Sequence, residues 1–284
     1  MTLTPTPTTA AKAPALSLSA APTRAILLMI GAVLCFSGMD ATVKAVTPEI
    51  GTLPALWARY AGQMLLVLVL VAPRLRRVAR TDYLGLQLTR SVLLMGATFF
   101  FFSALPRIGL AEAAAVMNIN PMLIALGAAL FLGEALGQRR LIAIAVALLG
   151  ALIIIRPGTG AFTPAALLPL AAAMCFATYT LITRRVGSDE DVWTSLFYTG
   201  LVGSVLLTLV VPFVWVTPSA KGAVQMLMIS GFGTMGQLLL IRALSQAQAG
   251  LLAPFNYLGL IFATLWGGLI FDELPDLWTL VGAL

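Results

Sequence analysis

Of the eleven Asp and Glu residues in this 284-residue chain, Asp40 alone lies well inside an apolar run. An ionisable side chain in hydrocarbon is costly, so it is kept where it faces a cavity or a partner. Lys44 follows one helical turn later, an i,i+4 spacing that lets the two pair. Arg59 stands one or two turns into the next apolar run, in the stretch Trp57–Tyr60. Two chemistries fit these residues. In one, Asp40 recognises an ammonium group or acts as a gate, and Arg59 holds a substrate carboxylate. In the other, Asp40 and Lys44 form a structural ion pair, and Arg59 snorkels and ties helices together. Glu134 and Glu273 close two further runs at the expected membrane edges, where an architectural role is simpler. Glu134 could pair there with Arg139 or Arg140.

A neutral cluster offers different chemistry. Asn118, Asn120 and Pro121 fall together early in one apolar run, and Pro254, Asn256 and Tyr257 at the equivalent place in another. Proline lacks an N–H, so it frees a carbonyl about one turn back and loosens the helix. Freed carbonyls and amide side chains can bind both ends of a zwitterion without a fixed charge. Hydrogen bonding between helices is the competing role for the asparagines. Phe99–Phe102 run around one helix, so only one or two of them can face a single cavity. Tyr60, Tyr179, Tyr198 and Trp266 lie within apolar runs, where a hydroxyl or indole needs a partner. Gln237 adds a buried amide. The candidate substrate-binding residues are therefore Asn118, Asn120, Tyr179, Gln237, Asn256, Tyr257, Phe99 and Trp266. Asp40, Lys44, Arg59, Glu134 and Glu273 are candidates for gates or ion pairs, and Pro121 and Pro254 for helix breaks.

Composition limits what these residues can serve. The chain is 60% hydrophobic and 10% charged, with a mean hydropathy of +0.99. Soluble domains are near half apolar and a quarter charged. This pattern predicts an all-α, polytopic membrane protein. The chain has no histidine, which argues against His-based catalysis, His-metal sites and His proton relays. No enzyme, metal or cofactor is expected. The two cysteines, Cys35 and Cys175, sit in apolar runs and say little about redox compartment. The net charge of +6 comes from basic residues at the ends of apolar runs, which speaks for membrane orientation and against nucleic acid.

About 20 apolar residues cross the hydrocarbon. Nine such runs occur, near 25–44, 52–72, 88–106, 112–132, 139–156, 163–184, 192–216, 222–243 and 249–271. A tenth begins near Leu277 and reaches only Leu284, so the last helix is expected to be truncated. Residues 1–22, rich in Thr, Ala and Pro, are expected to be a disordered tail. With the N-terminus in the cytoplasm, twelve Lys and Arg fall on the inner side and five on the outer. That bias supports this orientation, and ten spans then place both termini on the cytoplasmic side; the expected location is a bacterial inner membrane, with Trp57, Trp193, Trp215 and Trp278 near span ends.

The chain also repeats itself. Residues 104–135 align without a gap on 243–274, pairing Glu134 with Glu273. Ala32, Cys35, Phe36 and Val46 align on Ala172, Cys175, Phe176 and Val186, setting Lys44 opposite Arg184. The offset is 139 or 140 throughout, so each unit holds five spans. An odd number of spans forces the second unit to enter the membrane upside down. Two inverted five-helix repeats, 23–158 and 159–284, are predicted, a layout suited to alternating access.

These features resemble the EamA family of the drug/metabolite transporter superfamily. The resemblance rests on Pro121 in the fourth span, LGEAL at 132–136, Gln138, GALIIIRPG at 150–158, and Arg59 in WARY. The second copy repeats Pro254 and Glu273 and lacks a counterpart of Gln138. The resemblance implies ten helices, a central cavity between the halves, and export or exchange of small metabolites. Within the family the chain is most similar to YddG-type exporters of aromatic and other neutral amino acids. Carriers of nucleotide sugars or sugar phosphates are the alternative. The expected partners are a small-molecule substrate and the lipid bilayer, with the monomer as the working unit. One buried carboxylate and no histidine also imply weak or absent proton coupling.

Overall fold

The computed structural model describes residues 20–132, 149, 164–186, 190–247 and 249–274. Among the described residues, all regular structure is helical. The main helices are α1 (Ala20–Ile50), α2 (Thr52–Val71), α3 (Leu84–Ala104), α4 (Leu110–Met117) and α5 (Asn120–Leu132). Then come α6 (Leu167–Val186), α7 (Val192–Val210), α8 (Ala220–Gln246) and α9 (Leu258–Phe271). Seven segments are long and apolar enough to cross a membrane, and a shorter apolar helix covers Leu110–Ile124. The expected tail, the span near 139–156, the last helix and Glu134 lie outside the described residues.

Both expected helix breaks are present. α4 ends at Met117 and α5 starts at Asn120, immediately before Pro121. Pro121 cannot donate a backbone hydrogen bond, so the carbonyl of Met117 loses its helical partner. Pro254 opens a 3-10 turn, Ala253–Tyr257, that leads into α9. A proline tolerated at a first turn here marks where each apolar span changes course.

The helices of the two expected repeats interleave. α1 packs along α8, and α3 along α6; α2 packs on both α7 and α8, and α3 on α7. α1 also meets α9, α5 meets α6, and α4 meets α9. Exchanging α1 with α6, α2 with α7, α3 with α8 and α4–α5 with α9 maps this set of contacts onto itself. Close crossings depend on small residues. A Cβ on Gly203 of α7 would run into the Tyr60 ring of α2, and one on Gly62 into Ser230 of α8. Ser230 donates to the Ala58 carbonyl at 2.7 Å across that crossing.

Side-chain contacts define the two ends of the bundle. At one end Glu49 accepts from the Ser219 amide at 2.5 Å, and Trp57 Nε1 donates to Thr208 Oγ1 at 2.9 Å. At the other, Thr81 donates to Glu190 at 2.8 Å, and the Tyr198 hydroxyl donates to the Ala79 carbonyl at 2.8 Å. The first end gathers the C-termini of α1 and α7 and the start of α2. The second gathers the end of α2, the start of α7, and Glu190 just beyond α6. α2 and α7 therefore run in opposite directions.

Candidate substrate cavity

Where the broken helices meet α1, α2 and α3, the bundle leaves a cavity. Its volume is about 160 Å³ available to the centres of water molecules. One water needs about 10–15 Å³ on that measure, so the space takes a small molecule. α1 contributes Ser37 and Asp40, α2 Arg59, and α3 Thr98. The α4–α5 break contributes Asn118 and Asn120, and the 3-10 turn contributes Asn256. Phe36, Phe101, Phe102 and Phe176 supply apolar wall.

The polar lining is only partly satisfied. Arg59 is 4% exposed; it donates through Nη1 to Thr98 Oγ1 and lies over the Tyr60 ring, 5.1 Å from its centroid. The Tyr60 hydroxyl shares the Thr98 hydroxyl at 3.1 Å. Arg59 Nε, Asn118 Nδ2, Asn120 Oδ1 and Ser37 Oγ are buried with no hydrogen-bond partner among the described residues. Buried polar groups are normally bonded, because each one left unmet costs about 1–3 kcal/mol. Several in one cavity point to a ligand or water that meets them.

The expected Asp40–Lys44 pair does not form. Lys44 instead bonds Glu273 Oε2 at 2.5 Å and the Ile108 carbonyl at 3.2 Å, over the Phe271 ring. Lys44 is thus drawn toward the end of α9, one turn beyond the cavity. Asp40 and Arg59 both line the cavity. Among the described residues Asp40 has neither a hydrogen bond nor an ion pair.

A second polar cluster lies one turn past the opposite wall. Arg90, fully buried, donates to Gln87 Oε1 at 3.1 Å and to the Tyr179 hydroxyl at 3.2 Å. Gln237 also donates to that hydroxyl, and Gln87 Nε2 donates to Glu190 at 3.0 Å. Leu94 and Phe176, which line the cavity, stand one turn along their helices from Arg90 and Tyr179. Arg90 is one of the twelve Lys and Arg residues expected on the inner side, and charge bias alone does not reveal this cluster. The signal was present: Gln87, Arg90 and Ser91 share one face of α3 at i, i+3 and i+4.

The structure thus gathers Asp40, Arg59, Asn118, Asn120 and Asn256 at the cavity. Tyr179 and Gln237 belong to the Arg90 cluster beside it. Trp266 packs against the main core, and its buried Nε1 has no hydrogen-bond partner among the described residues. Phe99 and Tyr257 are 39% and 43% exposed and lie outside the lining. Phe101 sits two residues from Phe99, about 200° around α3, which explains why it faces the cavity and Phe99 does not. Pro121 and Pro254 mark the breaks.

A multi-pass helical membrane protein with a polar-lined cavity among its spans has the architecture of a small-molecule transporter. The chain belongs to the EamA-like transporter family, whose model matches residues 23–156 and 163–284. It is 28% identical over 266 residues to the pseudopaline exporter CntI of Pseudomonas aeruginosa, covering 91% of this chain and 92% of that protein. It is 30% identical over 281 residues to a riboflavin transporter of Rhizobium johnstonii, covering 94% and 90%. An S-adenosylmethionine uptake transporter of Rickettsia felis is 29% identical over 164 residues, covering 58% and 56%. A solved crystal structure with 22% identity matches the fold at a TM-score of 0.66, covering 92% of each chain. The narrower similarity to amino-acid exporters finds no support in these relatives, which are named for other substrates.

Proposed function

We propose that this protein is a bacterial inner-membrane carrier that exports small neutral metabolites, amino acids above all, through the cavity by alternating access. Its two five-helix halves, 23–158 and 159–284, are inverted copies with both termini in the cytoplasm, and the monomer is the working unit. The antiparallel run of α2 and α7, and the contact pattern that survives exchange of the halves, support the inversion.

The observation that carries the reading is the cavity with its unmet polar groups. It lies between two polar closures, Lys44–Glu273 at one end and the Arg90 cluster at the other. Opening one while the other holds would expose the cavity to one side at a time. A carrier of nucleotide sugars or sugar phosphates would need several cations for phosphate. Among the described lining residues Arg59 is the sole cation.

The test is transport by the full chain in proteoliposomes. The panel holds labelled neutral amino acids, riboflavin, S-adenosylmethionine and a nucleotide sugar. Saturable movement of a neutral amino acid, absent from empty liposomes, is expected. Movement of the nucleotide sugar alone would overturn the substrate reading.

A further inference from the structure

We propose that Asp40 and Arg59 are the two poles that select the cargo, accepting molecules that carry both an ammonium and a carboxylate group. This rests on the carrier reading above and assigns the specificity-determining residues of its cavity.

The geometry sets the two charges on one cavity without joining them. They come from different helices, α1 and α2, and both line the space. A structural ion pair inside a membrane would be expected to close, because separated charges in a low-dielectric interior are costly. Here Arg59 spends Nη1 on Thr98 and leaves Nε without a partner, and Asp40 is unbonded among the described residues. A bound zwitterion completes both. Its carboxylate accepts from the guanidinium, its ammonium donates to Asp40, and the four charges sum to zero. Asn118 and Asn120 at the helix break offer neutral groups for the rest of the cargo, and Phe36, Phe101 and Phe102 offer an apolar wall for its side chain.

The internal repeat separates function from architecture. At an offset of 139 or 140, Asp40 corresponds to Tyr179 or Thr180 and Arg59 to Tyr198 or Thr199. Every one of these is uncharged. Thr180 and Thr199 bond carbonyls of their own helices, at 2.8 Å each. The described part of the second unit packs without either charge, so the scaffold does not require them. The charges belong to the first unit alone and meet only at the cavity.

The test uses proteoliposomes of the full chain loaded with the common protein amino acids, riboflavin and S-adenosylmethionine. Efflux is read by mass spectrometry. For each amino acid that moves, its α-hydroxy acid and its decarboxylated amine are added as competitors. The unaltered protein is expected to prefer the amino acid over either analogue by about tenfold or more, the scale of one charge-assisted hydrogen bond. Asp40→Asn should lose the preference over the hydroxy acid, and Asp40→Glu should restore it. Arg59→Gln should lose the preference over the amine. These ratios are internal to each variant, so a smaller folded fraction does not imitate them. Equal competition by both analogues on the unaltered protein overturns the proposal whether or not the variants fold. So do variants that keep the ratios of the unaltered protein. Movement of riboflavin without any amino acid overturns it too, while the carrier reading stands. Movement of nothing in the panel removes both.

Discussion

At the residue scale, the cavity and the lipid-facing surface divide side chains that look alike in sequence. Asn118 carries an amide nitrogen with no partner among the described residues on the cavity, and Phe99 is exposed outside it. Asn118→Leu is expected to lower the transport rate about tenfold, the loss of one buried polar contact. Phe99→Leu is expected to leave it unchanged. Initial rates in proteoliposomes, normalised to reconstituted protein, check both. The charged residues follow the same logic. Asp40 and Arg59 were legible as exceptional, because a charge in an apolar run needs a reason. Their actual neighbours were not legible. A helical spacing of four suggested Lys44 for Asp40, yet Lys44 reaches a carboxylate 229 positions away. Spacing constrains what can meet on one helix; a second helix that packs alongside supplies competitors that spacing does not reveal.

At the element scale, small residues and polar closures govern how helices approach and part. Gly203 admits the fully buried Tyr60 ring between α7 and α2. Gly203→Ala is expected to destabilise the protein by about 1–3 kcal/mol through overpacking. Gly231→Ala meets open space and is expected to be neutral or slightly stabilising, since alanine is the better helix former. Thermal unfolding in detergent compares the two. The Lys44–Glu273 bond ties the ends of α1 and α9 together beside the Ile108 carbonyl. Glu273→Gln weakens that closure. In a background without Cys35 and Cys175, a cysteine placed by Ala263→Cys in the cavity lining reports access. Its labelling by a membrane-impermeant maleimide from the Lys44 end is expected to rise severalfold in Glu273→Gln. Unchanged labelling would leave the bond as a structural tie only. The helix breaks belong to this scale as well, and here the sequence was sufficient. Proline's missing N–H acts on its own helix, so Pro121 and Pro254 mark the breaks wherever the helices pack.

At the scale of the whole molecule, helices far apart in the chain form one cavity that no single segment contains. Its lining draws on α1–α5 and, from later in the chain, on Phe176, Asn256, Gly259 and Ala263. A pH gradient is expected to drive no accumulation of cargo in proteoliposomes, because the chain has no histidine to relay protons and the one carboxylate among the described lining residues is assigned to the cargo. Concentrative uptake that follows an imposed gradient and disappears in Asp40→Asn would refute this.

The sequence by itself determined the helical membrane class, the approximate bounds of the described spans and the two helix breaks. Each follows from local properties: apolar length against bilayer thickness and the geometry of proline. Only the tertiary structure decided which polar side chains share a space. It drew Tyr179 and Gln237 to Arg90, gave Lys44 to Glu273, and set Asp40 and Arg59 on one cavity without an ion pair between them. Those partnerships form between helices far apart in the chain. They depend on how helices cross and rotate, and apolar residues pointing in nearly every direction leave a helix's rotation unmarked in its sequence.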